Sequence, residues 1–411
     1  MSPEPLFSII IPTLGKIDQW EQAILSIVAQ EYTNWEVIAI DSGPAEKSRH
    51  IIDTISDSRI KYVNTASQDP RLNWDVGFRN STGKYLLWLD DDNYLLDNAL
   101  SALSNAVVSM QYPDIISGEH MHYRGKEHYI KDYRNQLVIP LPVFTGGIKR
   151  IDPQDIVRRL LGWPQKDTSV RARFHTSENA VKKTVVEDLI SKIGEINFKT
   201  TSTHSLRLGI IALSKTIYTI DVPIALIGQS GHAMTDTWPH ISSPVLKEFT
   251  FQAELSPFSA QAYANYRMEN LLRTKKALGN SLATIDLNMT VFLKAYVREL
   301  IVLDQAWTTW WKNWSEIRGS SLAVDTLGLQ KIVAYQTASL FLKILKALGL
   351  YRPFQLFFKK KRVSQKNQLV IPLDSFGVLD IKSCAEKLPN IIKKELKIDY
   401  QNFIFKTLEN K

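Results

Sequence analysis

The sequence predicts an α/β fold: a mixed, mainly parallel sheet flanked by helices, with a helical C-terminal region. Three observations carry this. Over about the first 110 residues, short apolar runs alternate with amphipathic stretches. Two of those runs end in carboxylates, at Asp41 and at Asp90-Asp91-Asp92. From about residue 244 onward Gly and Pro become sparse and apolar residues recur at helical spacing. Strands that alternate with helices pair in parallel through right-handed crossovers. The expected division is residues 1–240 for the α/β part, 241–366 for the helical region and 367–411 for a short mixed tail.

Each element has its own signal. Phe7–Pro12 is an apolar run closed by Pro, a first strand, and Thr13-Leu14-Gly15 is a turn. Ile17, Trp20, Ile24, Ile27 and Val28 fall on one helical face. Trp35–Ile40 is a second strand, stopped at Asp41. A weakly helical polar stretch leads to a third strand, Ile60–Val63, and a short helix ends near Ser81-Thr82-Gly83. Tyr85–Leu89 is the fourth strand, and Asn98–Met110 a helix with Leu100, Leu103 and Val107 on one face. Asp114–Ser117 reads as a strand, Val185–Ile193 and Ser205–Leu213 as helices. Ile217–Asp221 reads as a strand closed by Val222-Pro223, and Gly228–His232 as a small-residue loop. In the helical region Trp307, Trp310, Trp311 and Trp314 share one helix. Ile332, Val333, Gln336, Leu340, Ile344, Leu345 and Leu348 form a stripe along 331–348, and Lys359–Arg362 follow.

Composition bounds the function classes. The 411 residues suffice for two or three domains, and 44% hydrophobic with 22% charged residues is ordinary for a globular protein. The single Cys384 excludes an intramolecular disulfide and fits a reducing, cytoplasmic setting. No secretory leader is expected, and no apolar stretch approaches the roughly 20 residues of a spanning helix. Residues 341–411 hold 15 Lys and Arg against 6 Asp and Glu; the rest hold 35 against 36. The body is near neutral and the basicity sits in the tail, which argues against a nucleic-acid partner.

The stretch Tyr85–Asn93 is the most informative. A buried apolar strand cannot continue into three carboxylates, because unpaired buried charge costs several kcal/mol per group. The strand therefore emerges at a sheet edge, where ligands bind in parallel α/β folds. A solvated acidic turn is the plain alternative. His120, His122 and His128 read as surface or half-buried side chains rather than metal ligands.

Five segments together resemble family 2 glycosyltransferases with a GT-A (Rossmann-like) fold. They are Phe7–Thr13, Ala23–Gln30 with Tyr32 and Trp35, Ile40–Gly43, Gly83–Tyr85, and Leu89–Asn93. The resemblance is clear over 5–110 and looser to about 235. It implies a nucleotide-sugar donor and a divalent cation, Mn²⁺ or Mg²⁺, which prefers carboxylate oxygen and water. By the same resemblance Asp92 contacts the metal, and Asp90 opens the Asp-X-Asp motif near the donor ribose or the metal. Asp91 is the variable middle position. Thr13, Leu14 and Asp41 line the nucleotide pocket, Arg71 is a basic donor contact, and His232 approaches the diphosphate or metal. Two departures stand out: Ser42 where many members carry a second acid, and Asp75-Val76-Gly77 in place of Asn-X-Gly.

The implied base is missing. An inverting transferase needs a carboxylate to deprotonate the acceptor hydroxyl, and the matching position holds Thr203-His204. His204 serves either as base or as a helix cap. Glu187-Asp188 has the rhythm of a solvated helix face. The expected activity is metal-dependent, inverting transfer to a glycan or lipid-linked acceptor in surface polysaccharide assembly. A sugar-nucleotide-binding relative that has lost its base stays open beside it, and a nucleotidyltransferase is disfavoured by the lack of a Gly-rich phosphate loop. The Trp cluster is core or a sugar platform. The 331–348 helix with Lys359–Arg362 is either a subdomain packed on the catalytic part or a contact with the inner membrane leaflet.

Overall fold

β1 (Phe7–Thr13) lies at the centre of a parallel group, between β2 (Trp35–Asp41) and β4 (Tyr85–Trp88), and β2 carries β3 (Ile60–Asn64) on its far edge. Their sequences are apolar on both faces, as strands covered on both sides must be. β1, β2 and β4 are buried nearly throughout. The crossovers are α1 (Ile17–Val28), α2 (Ala45–Ile55) and α3 (Pro70–Asn80). α1 buries Trp20, Ala23, Ile24 and Ile27, the face its spacing predicts. The computed structural model describes residues 5–43, 45–65, 70–128, 131–141, 144–164, 166, 179–194, 203–229, 254–259, 262–302, 306–348 and 368–397.

Beyond β4 the sheet becomes mixed. A two-residue strand, β5 (Tyr94–Leu95), precedes α4 (Ala99–Ser109) and β6 (Ile115–Arg124). β6 pairs in parallel with β10 (Ile217–Gln229). It pairs antiparallel with β9 (Asn179–Lys182) near its start and with β7 (Gln136–Pro140) near its end. β9 also pairs antiparallel with β4 and so joins the two parallel groups. β8 (Ile148–Ile151) and β5 pair with β10. α5 (Pro153–Leu160), α6 (Lys183–Ile193) and α7 (Thr203–Leu213) complete the flanking helices of this stretch. The path through the sheet is β11-β7-β6-β9-β4-β1-β2-β3, where β11 is Gln368–Pro372.

Two expectations are corrected here. The strand expected to close at Val222-Pro223 continues to Gln229. Its pairing with β6 shifts register between Thr219 and Ala225, and Pro223 sits within that irregularity, where a missing N–H is tolerated. Gly228 and Gln229, expected in a loop, therefore belong to β10; Ser230, Gly231 and His232 lie outside the described residues. The other correction concerns Asp114–Ser117, which is only the start of a ten-residue strand that carries His120 and His122. His120 and His128 are buried rather than superficial.

The chain forms two compact units. The first takes residues 1–157, 165–236 and 367–411, and the second takes 158–164 and 237–366. The segment expected as a short mixed tail thus supplies β11 and a helix, Ile381–Leu396, to the first unit. That helix begins with a capping box between Asp380 and Ser383 and buries Cys384, Leu388, Ile391 and Ile392 in the same core cluster as β1 and α4.

The second unit is helical where described: Tyr263–Leu278, Met289–Val302, Trp307–Gly319, Ser321–Leu327 and Leu329–Ala347. Glu269, buried in the first helix, accepts the backbone N–H groups of Glu254, Leu255 and Ser256 and pairs with Arg273. Burial alone would raise this carboxyl, but those bonds hold it below its ordinary value. The four tryptophans divide: Trp310 and Trp314 are core, Trp307 and Trp311 are exposed. The expected stripe along 331–348 divides too, with Ile332, Gln336 and Ser339 buried and Val333, Ile344 and Leu348 exposed.

Candidate active site at the carboxylate edge of the sheet

The ends of β1, β2 and β4 meet at one edge, because parallel pairing points all three the same way. Thr13 of β1 stands opposite Asp41 of β2, and the Asp90–Asp92 turn follows β4 on the other side of β1. Leu89 N–H reaches the Ile10 carbonyl at 3.0 Å, so the pairing holds until the carboxylates begin.

Thr13 is the hinge of the site. Its backbone turns sharply at Gly15, whose φ of +104° only glycine adopts readily. The Thr13 hydroxyl accepts the backbone N–H groups of Gly15 and Lys16, each at 3.2 Å, and donates to Asp91 Oδ2 at 2.9 Å. Leu14 is exposed.

Lys16, absent from the residues the sequence singles out, is central. Its Nζ lies 3.5 Å from Asp91 Oδ1 and 3.5 Å from Asp92 Oδ2. Burial would lower the Lys16 pKa, but the two carboxylates outweigh it and the net shift is upward, so the ammonium stays charged. Asp91 moves the other way from a usual ion-paired carboxyl. Burial, with Asp92 beside it, pushes Asp91 above its ordinary value against the pull of Lys16 and Thr13. Asp91 is therefore not an idle middle residue: it ties the turn to β1. Asp90 is half-buried.

The turn is clamped from β10. Gly228 N–H donates to Asn93 Oδ1 at 3.0 Å, and a Cβ at Gly228 would lie 1.9 Å from the Asp92 carbonyl oxygen. Only glycine allows that approach. The sequence reads Gly228 as the start of a small-residue loop and does not show its partner across the sheet.

Asp41 is held differently. Oδ1 accepts Gly43 N–H at 2.7 Å; Oδ2 accepts the Tyr62 hydroxyl at 3.0 Å and Asn64 Nδ2 at 3.1 Å. Burial first, and then Asp41 against an opposing bond from Asn64, pushes the Tyr62 phenol above its ordinary value, so it remains a donor. Ser42, which stands where relatives often carry an acid, donates to Asn73 Oδ1 at 2.9 Å. The departure Asp75 makes an exposed ion pair with Arg79 on α3.

The other expected site residues are less defined. Arg71 is in the first turn of α3 and His204 in the first turn of α7, but their side chains lie outside the described residues, as does all of His232. Glu187 and Asp188 are exposed on α6, and Asp188 pairs with Lys192 one turn on. Among the described residues no three His, Cys, Asp or Glu side chains converge as a metal cluster. The donor set at the turn is nevertheless hard oxygen, gathered around a cation. Mg²⁺ and Mn²⁺ are commonly held by one or two carboxylates and completed by substrate phosphate, which this set fits.

Comparison with known proteins places this edge in a family. Residues 8–159 match the family described as glycosyl transferase family 2. The chain carries a family 2 glycosyltransferase domain. An uncharacterized glycosyltransferase of Haemophilus influenzae is 35% identical over 104 residues, 25% of this chain and 42% of that one. The GalNAc(5)-diNAcBac-PP-undecaprenol beta-1,3-glucosyltransferase of Campylobacter jejuni is 33% identical over 103 residues, 24% of this chain and 33% of that one. The chain thus spans less than half the length of these relatives. In three dimensions it is similar to S. aureus TarS 1-349 in complex with UDP-GlcNAc. The identity is 12% and the TM-score 0.47, over 81% of this chain and 90% of that one. The family 2 domain covers every residue of the carboxylate edge except Gly228.

Proposed function

We propose that this chain transfers a sugar from a nucleotide-sugar donor to a hydroxyl acceptor, with inversion and with Mn²⁺ or Mg²⁺ as cofactor. The observation that carries the reading is the Thr13–Lys16–Asp91–Asp92 network at the strand ends of a family 2 domain. Asp92 and Asp90 would hold the metal, which supplies positive charge to the departing diphosphate. Thr13, Leu14, Asp41 and Arg71 bind the nucleotide part. Asp41 has both oxygens engaged by neutral donors, so its part is to shape the pocket wall through Tyr62, Asn64 and Gly43. Asp91 positions Asp92 by fixing the turn to β1.

The chemistry balances simply. The acceptor oxygen forms a bond to the anomeric carbon as the bond to the donor diphosphate breaks, and the hydroxyl proton passes to a base. His204, on the first turn of α7, is the proposed base, and His232 a further contact to the diphosphate. The acceptor is a glycan or lipid-linked saccharide, the class named for the Campylobacter relative, and the setting is assembly of a surface polysaccharide on the cytoplasmic side.

One test addresses both donor and metal. A panel of sugar nucleotides with Mn²⁺ is screened by melting temperature, since a ligand that binds only the folded state raises it. Nucleotide release is then followed for wild type, Asp92→Ala and His204→Ala. One donor should stabilise wild type, and release should fall in both variants. The absence of a carboxylate at Thr203-His204 favours a second reading, a sugar-nucleotide-binding protein without transfer. Stabilisation by a donor with no nucleotide released to any acceptor would select it.

A further inference from the structure

The last described helix of the second unit, Leu329–Ala347, is oriented contrary to a simple core helix. It turns polar residues inward. Gln336 and Ser339 are buried, and Ser339 accepts the Trp310 indole N–H at 2.9 Å and donates to the Leu300 carbonyl at 3.3 Å. That relay ties three helices together and fixes the rotation of this one. The apolar residues Leu329, Val333 and Ile344, with Leu348 at its C-cap, keep 42–65% of their surface exposed. At 3.6 residues per turn these four positions fall within an arc of about 100°. Beside them the exposed Trp307 lies under the Lys343 ammonium, 4.6 Å from the ring centre, and Trp311 is exposed one turn on.

The sequence that carries the stripe is charged with one sign. Residues 326–373 contain nine Lys and Arg and not one Asp or Glu. A solvated surface helix mixes both signs; this stretch does not. An apolar stripe, exposed tryptophans and a one-sided excess of cationic residues are the composition of a helix that lies in a membrane interface. A nucleic acid would answer the charge but not the aliphatic stripe. No described helix is long and apolar enough to cross a membrane, so contact would be along the surface.

We propose that the Leu329–Leu348 stripe, with Trp307 and Trp311, docks on the surface of an anionic lipid bilayer. The inference is independent of sugar transfer, because docking is read without donor or metal. The full chain is mixed with vesicles of phosphatidylcholine alone or with phosphatidylglycerol, and co-sedimentation is measured at low and high ionic strength. The chain should sediment with the anionic vesicles, less so as salt rises, and its tryptophan emission should shift to the blue. Combined Val333→Ser, Ile344→Ser and Leu348→Ser should weaken association about tenfold or more, each change removing apolar area from the contact. All three sites are exposed, so the variant should keep the wild-type melting temperature. If it melts early, the blue shift of the wild-type tryptophans decides alone. Failure of wild type to sediment with anionic vesicles overturns the proposal, as does equal sedimentation of a folded triple variant. Loss of self-association in the variant without vesicle binding by wild type assigns the stripe to a second copy instead, and retention of wild type on RNA alone assigns the charge to a polyanion.

Discussion

Two carboxylate corners of the same sheet edge are built on opposite principles. At the end of β2, Asp41 is closed: three neutral donors from Gly43, Tyr62 and Asn64 fill its two oxygens. Beyond β4, Asp91 and Asp92 share the Lys16 ammonium, at 3.5 Å from each, and Asp91 also accepts the Thr13 hydroxyl at 2.9 Å. Neutral donors cannot be exchanged for a ligand without leaving a buried charge uncompensated. A flexible lysine can withdraw when another cation arrives. The two corners therefore differ in what an incoming ligand could displace, although the sequence presents both simply as strands that stop at Asp.

The contrast can be broken in several ways. Asp92→Ala should cost the most, about a hundredfold or more in transfer rate with little loss of melting temperature, because it removes charge from the reacting centre. Steady-state kinetics beside a thermal melt measure both. Asp41→Asn should behave in the reverse sense, with the larger change in stability and donor KM; an equal fall in rate for the two would erase the distinction.

Glu36 on β2 extends the closed class. Its Oε1 accepts the Ser8 hydroxyl at 2.6 Å and the Thr82 hydroxyl at 2.9 Å, and Lys61 pairs with Oε2 at 2.6 Å. Burial would raise this carboxyl, yet the bonds from Lys61, Ser8 and Thr82 hold it below its ordinary value. The unfolded chain therefore binds more protons in acid. The stability Glu36 contributes is present above its unfolded pKa and is lost as pH falls through the folded one. Glu36→Gln should destabilise by about 1–3 kcal/mol at neutral pH and flatten the acid limb of a denaturation-versus-pH series. Gly228→Ala should cost about 1–3 kcal/mol as the turn is pushed off β10, with transfer reduced as well. Lys16→Met should lower the melting temperature, since Asp91 and Asp92 lose the ammonium they share, yet tighten Mn²⁺ binding without donor by about three- to tenfold, since a competing cation is gone. Electron paramagnetic resonance titration reads it directly, and weaker Mn²⁺ binding would show that Lys16 assists the site.

Much of the first unit was legible because its signals are local. Apolar runs bounded by Gly, Pro and Asp gave β1 to β4 in place, and helical spacing gave α1 and α4. Thr13 and Asp41 were legible as the ends of strands, and Asp92 as part of the turn that follows β4. Lys16 was not, since its role depends on a turn that brings it across to a segment 75 residues later in the chain. Gly228 was hidden for the same reason, its function being an approach between β10 and the Asp turn. The continuation of β10 past Pro223 was missed because proline usually closes a strand, and the bulge that admits it is a property of two strands. In the second unit, periodicity located the helices but could not say which side turns inward. There the Trp310–Ser339–Leu300 relay outvotes hydrophobicity.

β11 and the Ile381–Leu396 helix belong to the first unit although residues 237–366 of the second unit precede them in the chain. The nascent sheet waits with the edge of β7 open and a core lacking Cys384, Leu388, Ile391 and Ile392 until the second unit has emerged and these segments follow it. Domains made of consecutive sequence can settle as they emerge; this one must wait for a segment beyond the second unit. A premature stop anywhere before residue 368 would therefore strand the first unit in an unfinished state, and chaperone dependence of short translation products is the cellular trace that such an order of assembly would leave.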